Sequence, residues 1–231
     1  MILMSDKFEL LCQGDSRLLK INGDTGESFF IETGTMAAMT PTWHLSIKTG
    51  GLSKVFGRAL TGESLLLQEY KAKAPGELLL APVYSGDILG VKVGEKQYRI
   101  SNGNFLACTS GVKLETKARI KGIFGTAEGL FSLNTTGEGI LFVNSCGSLH
   151  RITLAPGEEY IVDSGHLVLW DRDMKFSTKL AGGGIAKSVF SGEGFVASFV
   201  GPGDIWIQTR KPLIYELTSD SHGNQTINVT T

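Results

Sequence analysis

The histidines and cysteines of this 231-residue chain are the side chains best suited to bind a metal ion. A metal-dependent β-barrel enzyme needs imidazoles and a carboxylate that converge on one ion at about 2.1 Å. The histidines are far apart, with no HxH or HxxxH pair, and the cysteines form no CxxC pair. We therefore predict no metal site, a hydrogen-bonded turn position for His166, and buried, reduced cysteines. The residues concerned are His44, His150, His166, His222, Cys12, Cys108 and Cys146.

Two serine- and glycine-rich motifs match catalytic or phosphate-binding loops only in part. Ser191 lies in SGEG, but a nucleophile elbow requires GxSxG between a strand and a helix, and Phe190 precedes this serine. The segment Ala181–Ser188 has alanine where a P-loop needs its two glycines, and no long helix follows. We interpret both motifs, together with Ser64, as turns and connections between strands.

Acidic residues recur at similar places in three similar parts of the sequence. Paired carboxylates could transfer protons if they met in a cleft. Repetition favours a structural role instead, such as accepting backbone N–H groups at turns. We therefore predict no catalytic residue, no enzymatic activity and no cofactor. The two sets of acids are Glu63, Glu128 and Glu193, and Glu77, Glu138 and Asp204.

A short motif that could position such residues occurs three times, as Glu27–Met39, Gln97–Cys108 and Glu159–Trp170. Each copy has a strand-like run, two polar residues, a glycine and an apolar run. The glycines are 69 and 62 residues apart. Each is expected at a corner with positive φ, which glycine adopts without a Cβ clash. They are Gly34, Gly103 and Gly165.

A second marker has nearly the same period. Apolar runs joined by glycine-containing turns recur at Gly76, Gly137 and Gly203, which are 61 and 66 residues apart. Two markers with one period predict a tandem repeat. We place three repeats near residues 25–83, 95–146 and 157–210, within a single domain of residues 1–215. A polar, loosely ordered tail is expected over residues 216–231.

Composition and strand pattern together indicate an all-β protein. Hydrophobic residues make up 42% of the chain, and thirty glycines separate short runs that favour strands. Further strands are expected at Phe8–Cys12 and Leu18–Ile21. A unit of about 60 residues has too small a core to fold alone, which favours three antiparallel units about a pseudo-threefold axis.

The charge balance gives no general attraction for nucleic acid or for an anionic membrane, because the net charge is −1. A basic group with aromatic neighbours could still contact RNA. Its alternating pattern is also that of a solvated strand face, which we favour. No secretory signal or long apolar run is evident, so we expect a reducing compartment, most simply the cytoplasm. The basic and aromatic candidates are Lys117, Arg119, Lys121 and Phe124, and Trp206, Arg210 and Lys211.

Several segments resemble the AIM24 family: Glu27–Met39, Gly50–Leu52 followed by Thr61–Ser64, Asp163–Val168 and Gly201–Thr209. The last of these, GPGDIWIQT, is the most specific, and the resemblance extends over about residues 8–215. It implies a β-fold like that of the tryptophan RNA-binding attenuation protein (TRAP), which also resembles a double-stranded β-helix. It also implies tandem units, self-association and, for mitochondrial members, a role in organising the inner membrane. It supplies no catalytic residue.

Three functions follow as hypotheses. The first is a homo-oligomeric scaffold or binding protein without catalysis, with a trimer as the first expectation, because fused β-units leave strand edges that closed association would cover. Another protein or a membrane-associated partner is compatible with this hypothesis. The second is a β-barrel or sandwich that binds a small molecule, with or without enzymatic activity. The third is an RNA-binding ring, by analogy with TRAP.

Overall fold

Antiparallel β-sheets account for nearly all of the regular structure. The computed structural model describes residues 5–12, 16–46, 67–116, 132–180, 195–212, 214–219 and 225–230. Within these residues the chain forms 21 strands and one 3-10 turn, Ser164–His166. The prediction of an all-β fold is confirmed.

Sheet I has four strands and contains the two N-terminal strands that the sequence predicts. Its order is β1-β2-β7-β4. Its strands are β1 (Phe8–Leu11), β2 (Leu18–Gly23), β7 (Gly76–Leu80) and β4 (Met36–Met39).

Sheets II and III have six strands each. Sheet II has the order β5-β6-β3-β10-β13-β8, and sheet III has the order β11-β12-β9-β16-β19-β14. The strands of sheet II are β5 (Trp43–Ser46), β6 (Leu67–Ala72), β3 (Ser28–Glu32), β10 (Phe105–Thr109), β13 (Gly139–Asn144) and β8 (Ile88–Val93). Those of sheet III are β11 (Val112–Thr116), β12 (Ser132–Gly137), β9 (Tyr98–Ser101), β16 (Leu167–Asp171), β19 (Gly203–Gln208) and β14 (Leu149–Leu154).

The last two sheets are small. Sheet IV has the order β15-β18-β17, and sheet V is a hairpin of β20 and β21. Residues 216–231 were expected to be loosely ordered, but β20 and β21 pair across most of them. The alternating Ile227 and Val229 favour a strand despite the polar composition. The strands are β15 (Glu159–Asp163), β18 (Phe195–Val200), β17 (Lys175–Leu180), β20 (Ile214–Ser219) and β21 (Gln225–Thr230).

Three hydrophobic cores separate the first four sheets, so that the sheets stack in the order I, II, III, IV. The first core combines side chains of sheets I and II, such as Leu78 and Phe29. The second combines sheets II and III, and the third combines sheets III and IV, where Trp170 packs against Phe199. Sheets II and III are therefore buried on both faces near their centres. This explains the almost continuous apolar runs of β10, β13 and β16, because such strands lack a solvent face.

The glycine corners are confirmed at two of the three predicted positions. Gly34 and Gly103 have φ of +88° and +79°. Gly34 follows β3, which pairs with β10, and Gly103 follows β9, which pairs with β16. The prediction for Gly165 is wrong. Here the Asp163 side chain accepts a hydrogen bond from the Gly165 N–H at 2.8 Å, which stabilises a 3-10 turn that needs no positive φ.

The third core provides a direct test of the stacking. Replacing Phe199, which is fully buried between two aromatic rings, by alanine (Phe199→Ala) should lower the free energy of unfolding by about 3–5 kcal/mol. Urea denaturation followed by tryptophan fluorescence measures the loss. The matched control is Val83→Ala, at a side chain that is 75% exposed, where we expect a change within about 0.5 kcal/mol. Equal, small effects of both substitutions would contradict the third core.

Candidate assembly interface

Two contacts between strand edges join the halves of the large sheets. In sheet II, β3 pairs with β10, so that Ile31, Phe30 and Phe29 lie opposite Ala107, Cys108 and Thr109. In sheet III, β9 pairs with β16, so that Ile100, Arg99 and Tyr98 lie opposite Leu169, Trp170 and Asp171. Both contacts are antiparallel. In junction order, β10 begins four residues after β9 ends, and β16 begins four residues after β15 ends. We call these contacts junction 1 (β3–β10) and junction 2 (β9–β16).

The strands β4 and β15 occupy the sheet edges where a further contact of this kind would form. β4 is the last strand of sheet I and pairs only with β7, and β15 is the first strand of sheet IV and pairs only with β18, among the strands described. Each strand therefore has one edge without a strand partner in the described part of the chain. Such an edge presents backbone N–H and C=O groups that can pair with another chain.

Large apolar side chains are exposed at these two edges. Tyr160 and Ile161 in β15 are 42% and 66% exposed, and Met36 and Met39 in β4 are both 39% exposed. Leu45, in β5, is 37% exposed. Among the described residues, the remaining large hydrophobic side chain with comparable exposure is Val83. Exposed apolar groups that cluster along an open edge are typical of a protein-binding surface.

A polar cluster surrounds the buried Asp204, where β14 and β19 meet the end of β16. The Asp204 carboxylate receives hydrogen bonds from Arg151 Nη2 at 2.7 Å and from the Thr153 hydroxyl at 2.7 Å, and Lys96 Nζ is 3.3 Å away. Asp171 accepts from Lys96 Nζ at 3.2 Å and from the Asp204 N–H at 3.1 Å. Burial alone would raise the pKa of Asp204, but these hydrogen bonds outweigh it and hold the pKa below its usual value. The cluster is charge-balanced, which suits a structural role.

A sequence comparison now identifies the family. The profile of the family described as mitochondrial biogenesis AIM24 matches residues 8–210. The chain belongs to the AIM24 family. The family assignment made from the sequence motifs is thus confirmed, and the match ends just after β19.

Relatives of this AIM24 protein come from bacteria and fungi. It is 35% identical over 202 residues to an uncharacterized protein of Streptococcus pyogenes serotype M6, and the alignment covers 83% of this chain and 81% of that protein. It is 21% identical to the protein called altered inheritance of mitochondria protein 24 of Aspergillus flavus, spanning 63% of its length. The X-ray crystal structure of a Streptococcus pyogenes protein matches with a TM-score of 0.77 at 33% identity, covering 88% of this chain and 93% of that chain.

The structure places the histidines of this AIM24 protein apart from one another. His166 Nδ1–H donates a hydrogen bond to the Gln208 backbone oxygen at 2.7 Å, in the turn position that we predicted. His44 and His150 lie on exposed strand positions, and His222 lies outside the described residues. In the described part of the chain, no group of three or more His, Cys, Asp or Glu side chains could hold a metal ion.

The cysteines are free, as expected, but they are not all buried. Cys108 is buried, and burial raises its thiol pKa to about 12. Cys146 is half-buried and Cys12 is exposed, so the prediction of burial is wrong for both. Cys12 lies just beyond the end of β1, where the sheet no longer covers it.

The two sets of acids differ from the expected pattern. Glu77 and Asp204 are both the second residue of a strand and both form ion pairs, with Lys20 at 3.0 Å and Arg151 at 2.7 Å. Glu138 does not share this position, because it lies in the turn between β12 and β13. The prediction of a shared register is therefore wrong for Glu138. The other set, Glu63, Glu128 and Glu193, lies outside the described residues, as do Ser64, Ser191, the segment Ala181–Ser188, Lys117, Arg119, Lys121 and Phe124.

Trp206, in β19, and the basic residues that follow this strand make contacts within the fold. Trp206 is 93% buried in the second core, and the Arg151 guanidinium lies 5.6 Å from its ring centroid. Lys211 Nζ forms an ion pair with Asp163 at 2.6 Å, and Arg210 is exposed. The Trp206 ring and the Lys211 charge are therefore engaged in contacts within the fold.

Sequence reasoning missed two features. Glu32, at the end of β3, is a half-buried carboxylate, and burial raises its pKa to about 7. Glu32 is the last residue of a strand with alternating apolar residues, and this position in the sequence does not indicate that the carboxylate is shielded from water. The open edges were also missed, although the aligned motifs already place Met39 at the position of Cys108 and Trp170.

The Asp204 cluster predicts a pH-dependent loss of stability. Because the folded pKa of Asp204 is below its unfolded value, its contribution is present above about pH 4 and is lost as the pH falls through the folded pKa. Asp204→Asn should lower the free energy of unfolding by about 1–3 kcal/mol at pH 7, and the difference from the wild type should shrink below pH 4. Thermal unfolding between pH 2.5 and pH 7 checks this. The exposed Asp173 is the control, since Asp173→Asn should change little; a pH-independent difference at Asp204 would contradict the account.

Glu32 predicts the opposite trend. Its raised pKa means that ionisation opposes folding, so stability is full below about pH 4.5 and falls as the pH rises to about 7. Glu32→Gln should match the wild type near pH 4 and exceed its free energy of unfolding at pH 8 by an amount on the order of 1–3 kcal/mol. Urea denaturation at the two pH values measures this. A variant that is less stable than the wild type at pH 8 would show that the carboxylate is stabilised rather than desolvated.

Proposed function

We propose that this AIM24 protein acts without catalysis as a homo-oligomeric scaffold or binding protein. The observation that carries the proposal is the pair of open strand edges on β4 and β15, with their exposed apolar side chains. A trimer is our first expectation for the assembly.

We further propose that the chain consists of three tandem TRAP-like units. Support comes from the order of strands, because β5-β6-β3, β11-β12-β9 and β17-β18-β15 follow one plan. A second plan is shared by β4-β7-β2, β10-β13-β8 and β16-β19-β14. Each unit would be a sandwich of one set of each kind, around one of the three cores.

This arrangement is open rather than closed about a threefold axis within one chain. Closure would need three junctions, and β15 does not pair with β4 among the described strands. The two free strands also lie in the first and the last of the four stacked sheets. The expected pseudo-threefold axis is therefore not supported for a single chain, and the end units remain available for other chains.

The role as a non-catalytic protein is supported by how the polar groups of the described residues are used. Asp204 and Glu77 form ion pairs with neighbouring strands, and His166 is hydrogen-bonded to a backbone oxygen. Catalytic groups are typically pre-organised towards a cleft that admits substrate. The polar groups named above instead contact neighbouring strands of the same sheets and stabilise them.

The mass of the native protein tests this proposal. We expect native mass spectrometry and light scattering to give an oligomer for the wild type, and Ile161→Lys to weaken its association by about tenfold or more, because a charge at an open edge opposes strand pairing. Val83→Lys is the matched control at an exposed apolar residue that belongs to neither β4 nor β15, and its mass should not change. A wild-type monomer at all concentrations would overturn the proposal.

A further inference from the structure

The strand β4 has two structural equivalents in the chain. All three strands contain a bulge at the same place: between Met36 and Ala38 opposite β7, between Phe105 and Ala107 opposite β13, and between Leu167 and Leu169 opposite β19. A bulge is a specific feature of strand geometry, so its recurrence fixes the alignment to the residue. β4, β10 and β16 are therefore equivalent strands, and Met39 corresponds to Cys108 and Trp170.

The strand β15 likewise has two equivalents. β3, β9 and β15 each pair with the middle strand of a three-stranded set, namely β6, β12 and β18. The pairs Phe30–Glu69, Arg99–Asn134 and Ile161–Ser198 occupy the same place in these contacts. Ile161 therefore corresponds to Phe30 and Arg99.

These equivalences identify one strand contact that is not formed among the described strands, namely that between β15 and β4. In junctions 1 and 2, strands equivalent to β15 pair with strands equivalent to β4, in one register. We propose that β15 of one copy pairs with β4 of a second copy in that same register, as an antiparallel intermolecular junction 3. Val162, Ile161 and Tyr160 would lie opposite Ala38, Met39 and Thr40 of the next copy. This inference rests on the proposed homo-oligomer and names its interface.

The exposed side chains of the two edges agree with this pairing. At the positions of Met36 and Met39, the other two units have side chains that are at least 99% buried: Phe105, Cys108, Leu167 and Trp170. At junction 1, Phe30 crosses to the second core, which lies in the next unit, and at junction 2 the Arg99 guanidinium lies 4.7 Å from the Phe176 ring centroid. Ile161 is the equivalent side chain of β15. It would complete the core of the first unit of the neighbouring copy, where Met39 and Leu45 are exposed.

The polar groups at the ends of the proposed junction match those of junction 1. By the same alignment, Glu158 and Thr40 take the positions of Lys96 and Asp171, which form an ion pair at junction 2 at 3.2 Å, and of Glu27 and Thr109 at junction 1. Junction 1 thus has the same combination of an acid and a threonine at these positions. Junction 3 places no like charges opposite each other.

Proline sets the length of the proposed junction. The N–H groups of Ser110 and Arg172 donate to Ser28 and Gln97 at the ends of junctions 1 and 2, at 3.2 and 2.8 Å. The equivalent residue of the first unit is Pro41, which has no N–H to donate. Pairing would therefore end at Thr40. A short edge closed by proline favours one register and disfavours indefinite strand addition.

The two edges differ from each other, so the interface is head-to-tail. Each copy would use β15 towards one neighbour and β4 towards the other. Contacts of this kind generate rings when the rotation between copies closes, and filaments when it does not. A head-to-tail junction also explains why the edges lie in different sheets at opposite ends of the stack.

Disulfide trapping tests the register. In a background with Cys12→Ser and Cys146→Ala, the pair Met39→Cys and Ile161→Cys in one chain should give disulfide-linked multimers under mild oxidation, since facing residues of adjacent antiparallel strands lie within disulfide range. Cys108 is kept because it is buried. The control pair is Val83→Cys with Ile161→Cys, which should stay largely monomeric on a non-reducing gel. Equal linkage of both pairs, or no linkage of the first in an assembled protein, would overturn the register while the homo-oligomer stands.

Charge exchange tests the direction of the contact. Met39→Lys and Ile161→Glu should each weaken association by about tenfold or more when present alone, and the double variant should recover most of the loss because the two charges would then face each other between copies. Thermal unfolding of each variant confirms that the chain is folded. If the double variant associates more weakly than either single variant, β4 does not face β15. A wild-type protein that is monomeric would remove both the junction and the proposed homo-oligomer.

Discussion

Antiparallel pairing between strand edges is the interaction on which the rest of this structure depends. Each three-stranded set is too small to bury both of its faces, but junctions 1 and 2 join four of the six sets into two six-stranded sheets. The wide sheets then serve two cores at once, one on each face. The hydrophobic stabilisation of each core thus requires strands from two neighbouring sheets, which couples the first four sheets into a single body.

The same interaction also sets the limits of a single chain. In the proposed arrangement of units, an open head-to-tail series leaves one edge of each kind unpaired among the described strands, here on β4 and β15. Apolar residues at these edges, such as Met39 and Ile161, are exposed although their equivalents in the middle of the chain are covered. The exposure is therefore a consequence of the position of these strands in the proposed series.

Polar interactions in the described residues reinforce this scaffold. Asp204 is held by Arg151 and Thr153 of the adjacent strand and lies close to Lys96, which reaches across junction 2 to Asp171. Burying one carboxylate in this way is tolerated because several donors compensate for the lost hydration.

No helix in the described part of the chain is long and apolar enough to cross a membrane.

The sequence predicts the strands and turns well, because these depend on local pattern. Phe8 and Leu19 mark the two N-terminal strands, and Gly34 and Gly103 mark corners with positive φ. Gly165 departs from the pattern because a side-chain hydrogen bond from its own N–H to Asp163 stabilises a different turn. Local pattern also cannot show whether a strand has a neighbour.

The strand edges illustrate this limit. The sequences YRI in β9 and YIV in β15 have the same strand character. Among the described strands, however, β9 has a neighbour on both sides and β15 has a neighbour on one side. Ile161 is exposed because one edge of β15 has no partner among the described strands. No property of the residue itself encodes this. The raised pKa of Glu32 has the same origin, because burial depends on the surrounding sheets.

Amide hydrogen exchange at two protein concentrations tests the central claim most directly, because it reports whether the backbone groups of the free edges are paired. We expect the amides of β4 and β15 that face outward from their sheets to exchange slowly at high concentration and to lose this protection together on dilution, while those of β3 and β10 stay protected. Rapid exchange of β4 and β15 at every concentration would contradict the account.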